Sequence, residues 1–289
     1  MNKWVIGARL RTLPAAIAPV LSATALAYNK NNSINLVNGV LALFVGICLQ
    51  VGVNYSNDYS DGIKGTDEER VGPTRLVASG LATPAAVRKA ALLTYLFGAI
   101  FGLALALRTN PWLILIGAVS IVAAWFYTGG KKPYGYKGLG EISVFIFFGL
   151  VATLGTYYAE SGNLTLWAIA LAVEMGFLAC AILAVNNLRD LPKDALVGKH
   201  TLAVRLGDKR ARQLLITLII LPLLIQITFI KITYLSLLSL LVIPSLVKII
   251  RTIRRGAVNA ELIPALGAIA KLQSAFTLWI VIALVLGRP

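Results

Sequence analysis

Charge is scarce in this chain. Only 13% of its 289 residues are Asp, Glu, Lys or Arg, against about a quarter in an ordinary soluble domain. Histidine occurs once and cysteine twice. A single His200, set in a basic loop, leaves no Cys/His zinc spacing and no Ser-His-Asp constellation. No Gly-Lys-Ser/Thr phosphate loop is present. Cys48 and Cys180 both fall inside apolar runs and read as small core residues, without a disulfide or a metal. Most of the apolar runs also lack the polar face that a soluble helix needs, and short alternating segments of a membrane barrel are missing.

Long apolar runs fill the space left by these absences. Hydrophobic residues make up 58% of the chain, in runs long enough to cross a bilayer. The reading is an all-α polytopic membrane protein. Nine spans are expected, near residues 13–28, 36–57, 87–107, 111–128, 140–159, 165–188, 213–230, 233–250 and 265–286. The first run looks like a signal peptide, with Lys3, Arg9 and Arg11 ahead of it and Ala25-Leu-Ala27 at its end. The rest of the chain is equally hydrophobic, so this run is read as an uncleaved first span.

The net charge of +15 does not form one patch. With the N-terminal side called inner, 22 of the 27 Lys and Arg lie in inner segments and four in outer ones, with Lys271 inside the last span. That bias places the N-terminus and the long loops in the cytoplasm, and it replaces nucleic-acid binding as the meaning of the charge. Arg210, Arg212, Arg251, Arg254 and Arg255 are expected to act as topology signals and headgroup contacts.

Two polar stretches end spans on this inner side. Asn54, Asn57, Asp58 and Asp61 fall at i, i+3, i+4 and i+7 on one helix face. Asn187, Asp190 and Asp194 follow at i, i+3 and i+7, with Asn186 alongside and Pro192 expected to interrupt the helix. Carboxylates at a membrane surface are costly without partners. Two such clusters facing one another offer hard oxygen ligands for Mg²⁺ ions that bridge a diphosphate. Lys64, Arg75, Lys137, Arg189, Lys193, Lys199 and Arg205 lie nearby and can neutralise phosphate oxygens. Asp67-Glu68-Glu69 reads as a solvated loop, with Asp67 available to the metal. The glycine-rich loop 128–141 carries Tyr134 and Tyr136, whose rings can face a developing allylic cation. Glu174 and Lys271, deep in two spans, are expected to pair with each other.

A partial internal duplication is visible. Gly72-Pro73-Thr74-Arg75 and Gly198-Lys199-His200-Thr201 follow the two clusters in the same way. Residues 1–289 therefore read as one domain, a repeat of helices 1–4 and 5–8 with a ninth helix added.

These stretches resemble the two aspartate-rich motifs of the UbiA-type intramembrane prenyltransferases. Residues 57–67, 133–141 and 186–190, extended by Gly198 to Gly207, resemble the 1,4-dihydroxy-2-naphthoate branch, which serves menaquinone biosynthesis. The resemblance runs over essentially the whole chain. It implies a nine-helix bundle in a bacterial cell membrane, with the active site facing the cytoplasm. It also implies transfer of a polyprenyl chain from polyprenyl diphosphate to 1,4-dihydroxy-2-naphthoate, with loss of diphosphate and CO₂. Mg²⁺ would sit on Asp58, Asp61, Asp190 and Asp194, with Asn54 as a further ligand, and lipid would surround the prenyl tail. Another aromatic acceptor such as 4-hydroxybenzoate is the alternative within the class. A secondary transporter is the alternative outside it, but its polar groups should lie near the bilayer midplane, not at one mouth.

Overall fold

A computed structural model describes residues 2–66 and 72–287, and these form helices and connecting loops with no strand among them. The helices are α1 (Lys3–Ala8), α2 (Pro14–Asn31), α3 (Leu36–Ile63), α4 (Pro84–Arg108), α5 (Trp112–Phe126) and α6 (Gly140–Val144). They continue as α7 (Ala152–Ser161), α8 (Leu166–Leu196), α9 (Leu202–Thr228), α10 (Ile243–Arg254) and α11 (Leu262–Leu286). Local chemistry sets many of these boundaries. Asn35, Thr83, Thr165 and Thr201 each cap a helix by accepting a backbone N–H three residues on, worth about 0.5–2 kcal/mol per cap. Pro14 and Pro84 sit where a helix has no N–H bond to lose.

Among the described residues seven helices are long and apolar enough to cross a membrane, and the pair Lys3–Thr12 and Pro14–Asn31, bent by 53°, makes eight if it is counted as one span. The expected fourth span is α5, with only 15 residues. At 1.5 Å per residue it reaches about 22 Å, short of a hydrocarbon core of about 30 Å. α6 and α7 join through a π-helical stretch, Phe145–Val151, into the single span Gly140–Ser161. There Gly149 packs on α8 so closely that a Cβ would come 2.5 Å from the Gly176 Cα.

α8 is the axis of the bundle, the most enclosed of the spans. A large apolar core joins it to α2, α9, α10 and α11. A second, smaller core joins α1, α3 and α4 with Leu76 and Ala82 of the connecting loop. The acidic stretches thus belong to helices of two different cores and meet at one end of the bundle.

Two expectations fail here. Pro192 does not interrupt its helix, for α8 runs on to Leu196. The helix continues through the proline, whose missing N–H leaves the Leu188 carbonyl without its helical donor. Glu174 and Lys271 do not pair either. Lys271 is exposed, whereas Glu174 is fully buried. The Gln226 amide nitrogen, oriented toward the carboxylate, donates to both Glu174 oxygens at 3.0 Å.

Candidate active site

α3 extends to Ile63, so Asn54, Asn57, Asp58 and Asp61 all lie on its last turns. They have different partners. Asn54 is buried, and its Nδ2 donates to the Ala8 carbonyl and the Thr12 hydroxyl, both at 2.9 Å. Its Oδ1 accepts from Gln50 at 3.3 Å. This amide fastens α3 to the bend between α1 and α2. Asn57 Oδ1 accepts from the Thr128 hydroxyl at 2.7 Å, which ties α3 to the loop after α5.

Asp58 is fully buried, and its two oxygens accept the backbone N–H groups of Leu76 and Val77 at 2.8 and 3.0 Å. A carboxylate that accepts two amides holds a turn firmly. The turn it holds, 75–80, begins at buried Arg75.

Asp61 is where the stretches meet. The Tyr136 hydroxyl donates to its Oδ1 at 2.6 Å, and the Lys199 ammonium reaches its Oδ2 at 3.3 Å. The Tyr136 ring has the Lys64 ammonium 5.1 Å from its centroid and that of Lys199 at 4.6 Å. Both distances are in the range of cation–π attraction. Lys64 also donates to the Thr128 carbonyl at 2.6 Å. Burial pushes the Lys64 ammonium below the usual lysine range, Asp61 pulls it back up, and Lys199 pushes it down again. One carboxylate, one phenol and two ammoniums, drawn from α3, the 133–139 loop and the segment after α8, thus share one point.

The second stretch approaches from α8. The Arg189 guanidinium is buried and grips Asp190 through two bonds, at 2.7 and 2.8 Å. It lies beside Gly72, whose Cβ, if present, would come 3.2 Å from the Arg189 Cζ. The loop that Asp58 pins therefore touches Arg189, and this joins the two stretches a second time. Among the described residues Arg189 Nη1 and Lys193 Nζ are buried with no hydrogen-bond partner. The backbone carbonyl of Asp194 accepts the Lys199 N–H at 2.8 Å, turning Lys199 back toward Asp61.

Other expected residues have local partners. The Asn186 amide bonds back to the Ile182 carbonyl within α8 at 2.9 Å. Tyr134 donates to the Ala123 carbonyl at 2.8 Å and packs edge-on against Tyr127, which pins the loop to α5. Lys137 is exposed. Arg205 is exposed and bonds the His200 carbonyl at 3.3 Å. Arg212, expected only as a topology signal, donates to the Ile253 and Ala257 carbonyls at 2.9 Å and closes the end of α10. Asp67, Glu68 and Glu69 lie outside the described residues.

Asn187 leads to a residue absent from the expected site. Its Nδ2 donates to Glu141 Oε1 at 2.9 Å. Glu141 is buried at the start of α6, and its Oε2 has no hydrogen-bond partner. The signal was present in the sequence as an acid that opens a span directly after the glycine-rich loop.

Comparisons with known proteins agree with this arrangement. Residues 16–262 match the UbiA prenyltransferase family. The chain is 48% identical over 264 residues to a 1,4-dihydroxy-2-naphthoate octaprenyltransferase of Mycobacterium tuberculosis, covering 91% of this chain and 90% of that one. It is 40% identical over 217 residues to the Escherichia coli protein of that name, covering 73% and 70%. A UbiA homolog from Aeropyrum pernix shares the fold, with a TM-score of 0.70 at 14% identity over 92% and 97% of the two chains. A UbiA homolog from Archaeoglobus fulgidus, solved with GPP and Mg²⁺, gives 0.65 at 16% identity over 97% and 99%. With the match spanning both acidic stretches and the bundle between them, the chain belongs to the UbiA prenyltransferase family.

Proposed function

We propose that the protein moves a polyprenyl group from polyprenyl diphosphate to 1,4-dihydroxy-2-naphthoate, releasing diphosphate and CO₂ and forming the quinol of demethylmenaquinone. The site end of the bundle faces the cytoplasm of a bacterial cell membrane, as the distribution of Lys and Arg indicates. The observation that carries the reading is the meeting at Asp61 of an acidic helix end, two ammoniums and a tyrosine. The 48% identity to a naphthoate octaprenyltransferase supports the choice of acceptor.

Mg²⁺ fits this donor set as an ion shared with substrate. Among the described residues no three His, Cys, Asp or Glu side chains lie close enough to form a cage. Mg²⁺ needs only one or two carboxylates when phosphate oxygens and water complete its octahedron. Asp61, Asp190 and Asp194 are the residues to hold it, and all are hard oxygen donors. Asp58 and Asn54 act instead by fixing the turn and the bend against which α3 ends. Once bound, Mg²⁺ would withdraw charge from the departing diphosphate.

The remaining work falls to the chain's own groups. Arg189 Nη1, which its pairing with Asp190 leaves unused, and Lys193 Nζ are buried donors that suit the diphosphate oxygens. Lys64 and Lys199 add fixed positive charge beside the same point. The isoprenoid tail is apolar and lies among the helices, at the lipid side of the site.

Turnover by purified protein in detergent tests this. Polyprenyl diphosphate and Mg²⁺ are supplied with 1,4-dihydroxy-2-naphthoate or 4-hydroxybenzoate. The expected result is a prenylated naphthoquinol, recovered as the quinone after oxidation in air, and lost with EDTA and in Asp61→Ala. Product from 4-hydroxybenzoate alone would overturn the acceptor and leave the metal site standing.

A further inference from the structure

Glu141 is placed for chemistry that none of the residues above performs. It opens the span Gly140–Ser161 at the site end, deep enough to be only 7% exposed. One oxygen is fixed by Asn187 of the second acidic stretch, at 2.9 Å. The other, Oε2, is buried and accepts nothing. The residue's backbone is also anchored, since its carbonyl accepts the Cys180 thiol at 3.1 Å. A buried carboxylate oxygen left without a donor costs about 1–3 kcal/mol or more. That cost is offset if a substrate hydroxyl supplies the donor.

The titratable groups that face Glu141 are the Tyr127 phenol from the end of α5 and the Cys180 thiol from α8. The Tyr127 hydroxyl lies against Gly140, where a Cβ would come within 2.9 Å of it, and it also feels the charge of Asp61. The Tyr127 ring also packs edge-on against Tyr134 of the glycine-rich loop. Among the described residues it makes no ion pair with lysine or arginine. No cation competes for Oε2, so it is open to a substrate hydroxyl.

We propose that Glu141 Oε2 binds a ring hydroxyl of the aromatic acceptor and takes its proton during prenyl transfer. This rests on the aromatic-acceptor reading above. In the step, the prenyl C–O bond breaks and its electron pair leaves with diphosphate. A ring π pair forms the new C–C bond, and the hydroxyl gives its proton to Glu141 as that oxygen becomes a carbonyl. Loss of CO₂ then returns an electron pair to the ring through the carbonyl oxygen. That oxygen recovers the proton from Glu141, so the enzyme ends as it began. A positioned base of this kind is worth about 10²–10⁴ in rate.

Glu141→Gln tests it, because glutamine can still accept from Asn187 but is not a base. In single-turnover assays at pH 7 the expected rate is about 100-fold below wild type, with the KM for polyprenyl diphosphate unchanged. Near pH 10 a phenol ionises unaided, so the deficit should shrink to less than about ten-fold there, which a structural role would not produce. Wild-type rates in Glu141→Gln, or a loss equal at every pH, would overturn the proposal. If Glu141→Gln melts early in detergent, Glu141→Asp decides. It keeps a carboxylate and should lose less than about ten-fold at pH 7, and a 100-fold, pH-independent loss would show that Glu141 is structural. Wild-type turnover with each acceptor separates the two claims. No naphthoate product from wild type refutes the acceptor, whereas naphthoate product at full rate from Glu141→Gln refutes Glu141 alone.

Discussion

The Tyr136 hydroxyl donates to Asp61 at 2.6 Å while the face of its ring lies near the Lys64 and Lys199 ammoniums. One side chain thus organises both signs of charge at the site. The two roles separate by mutation. Tyr136→Phe keeps the ring and loses one bond to a charged acceptor, about 1.5–3 kcal/mol in a buried setting. Tyr136→Ala loses the ring as well and frees both lysines. Steady-state kcat/KM for polyprenyl diphosphate should fall about ten-fold in the first and a further ten-fold or more in the second. Equal losses in the two variants would mean the ring does nothing for the lysines.

Asp58 and Asp61 are one helical turn apart, yet they should fail differently. Asp58 is bound to two backbone amides of the 75–80 turn. Asp58→Asn replaces one acceptor oxygen with a donor that faces an N–H, at a cost of about 2–4 kcal/mol. The melting temperature in detergent should drop by several degrees. Asp61→Asn should melt near wild type and lose Mg²⁺-dependent turnover. A stable Asp58→Asn with turnover lost would instead make Asp58 a direct ligand.

What was legible in the sequence follows from what short-range physics can encode. Apolar runs and the asymmetry of basic residues are properties of consecutive residues, so the spans and the acidic helix ends near Asp61 and Asp190 could be located. The bond from Asn187 to Glu141 joins residues 46 apart, and no spacing rule links them. The same holds for Asp58 and the amides of Leu76 and Val77, where a carboxylate expected at the metal also anchors a loop. Pro192 misled because a proline removes one N–H bond without forcing a break where packing holds the helix, and α8 is the most enclosed of the spans. Glu174 and Lys271 have opposite charge and both fall inside spans, but helix rotation sets partners, and it turns Lys271 outward.

Lys64 gives a pH dependence. Burial and the Lys199 charge hold its ammonium below the usual lysine range, only partly countered by Asp61. A lowered value means the proton leaves at lower pH than from a free lysine. Any contribution of Lys64 to diphosphate binding is thus full below the shifted value and lost as pH rises through it. The alkaline limb of kcat/KM should start below about pH 10.4, the ordinary lysine value. In Lys64→Arg the charge persists beyond pH 12, and the limb should move upward. An identical limb in the two proteins would assign it to another group.

Glu174 and Gln226 test the one deep polar contact between α8 and α9. The carboxylate is fully buried, and its bonds come from the Gln226 amide at 3.0 Å. Removing the amide strands a buried acid among apolar helices, which costs about 1–3 kcal/mol or more. Gln226→Leu should therefore lower the melting temperature, and Glu174→Gln, which preserves a side-chain hydrogen bond, should lower it less. The double variant Glu174→Leu/Gln226→Leu replaces both partners by apolar groups and should recover much of the loss, because the penalty belongs to the unpaired group rather than to the site. Lys271 makes no ion pair with Glu174 among the described residues, so Lys271→Ala should not reproduce the loss seen in Gln226→Leu. If Lys271→Ala destabilised as much as Gln226→Leu, Glu174 would have a second partner that the bundle reaches only by rotating α11.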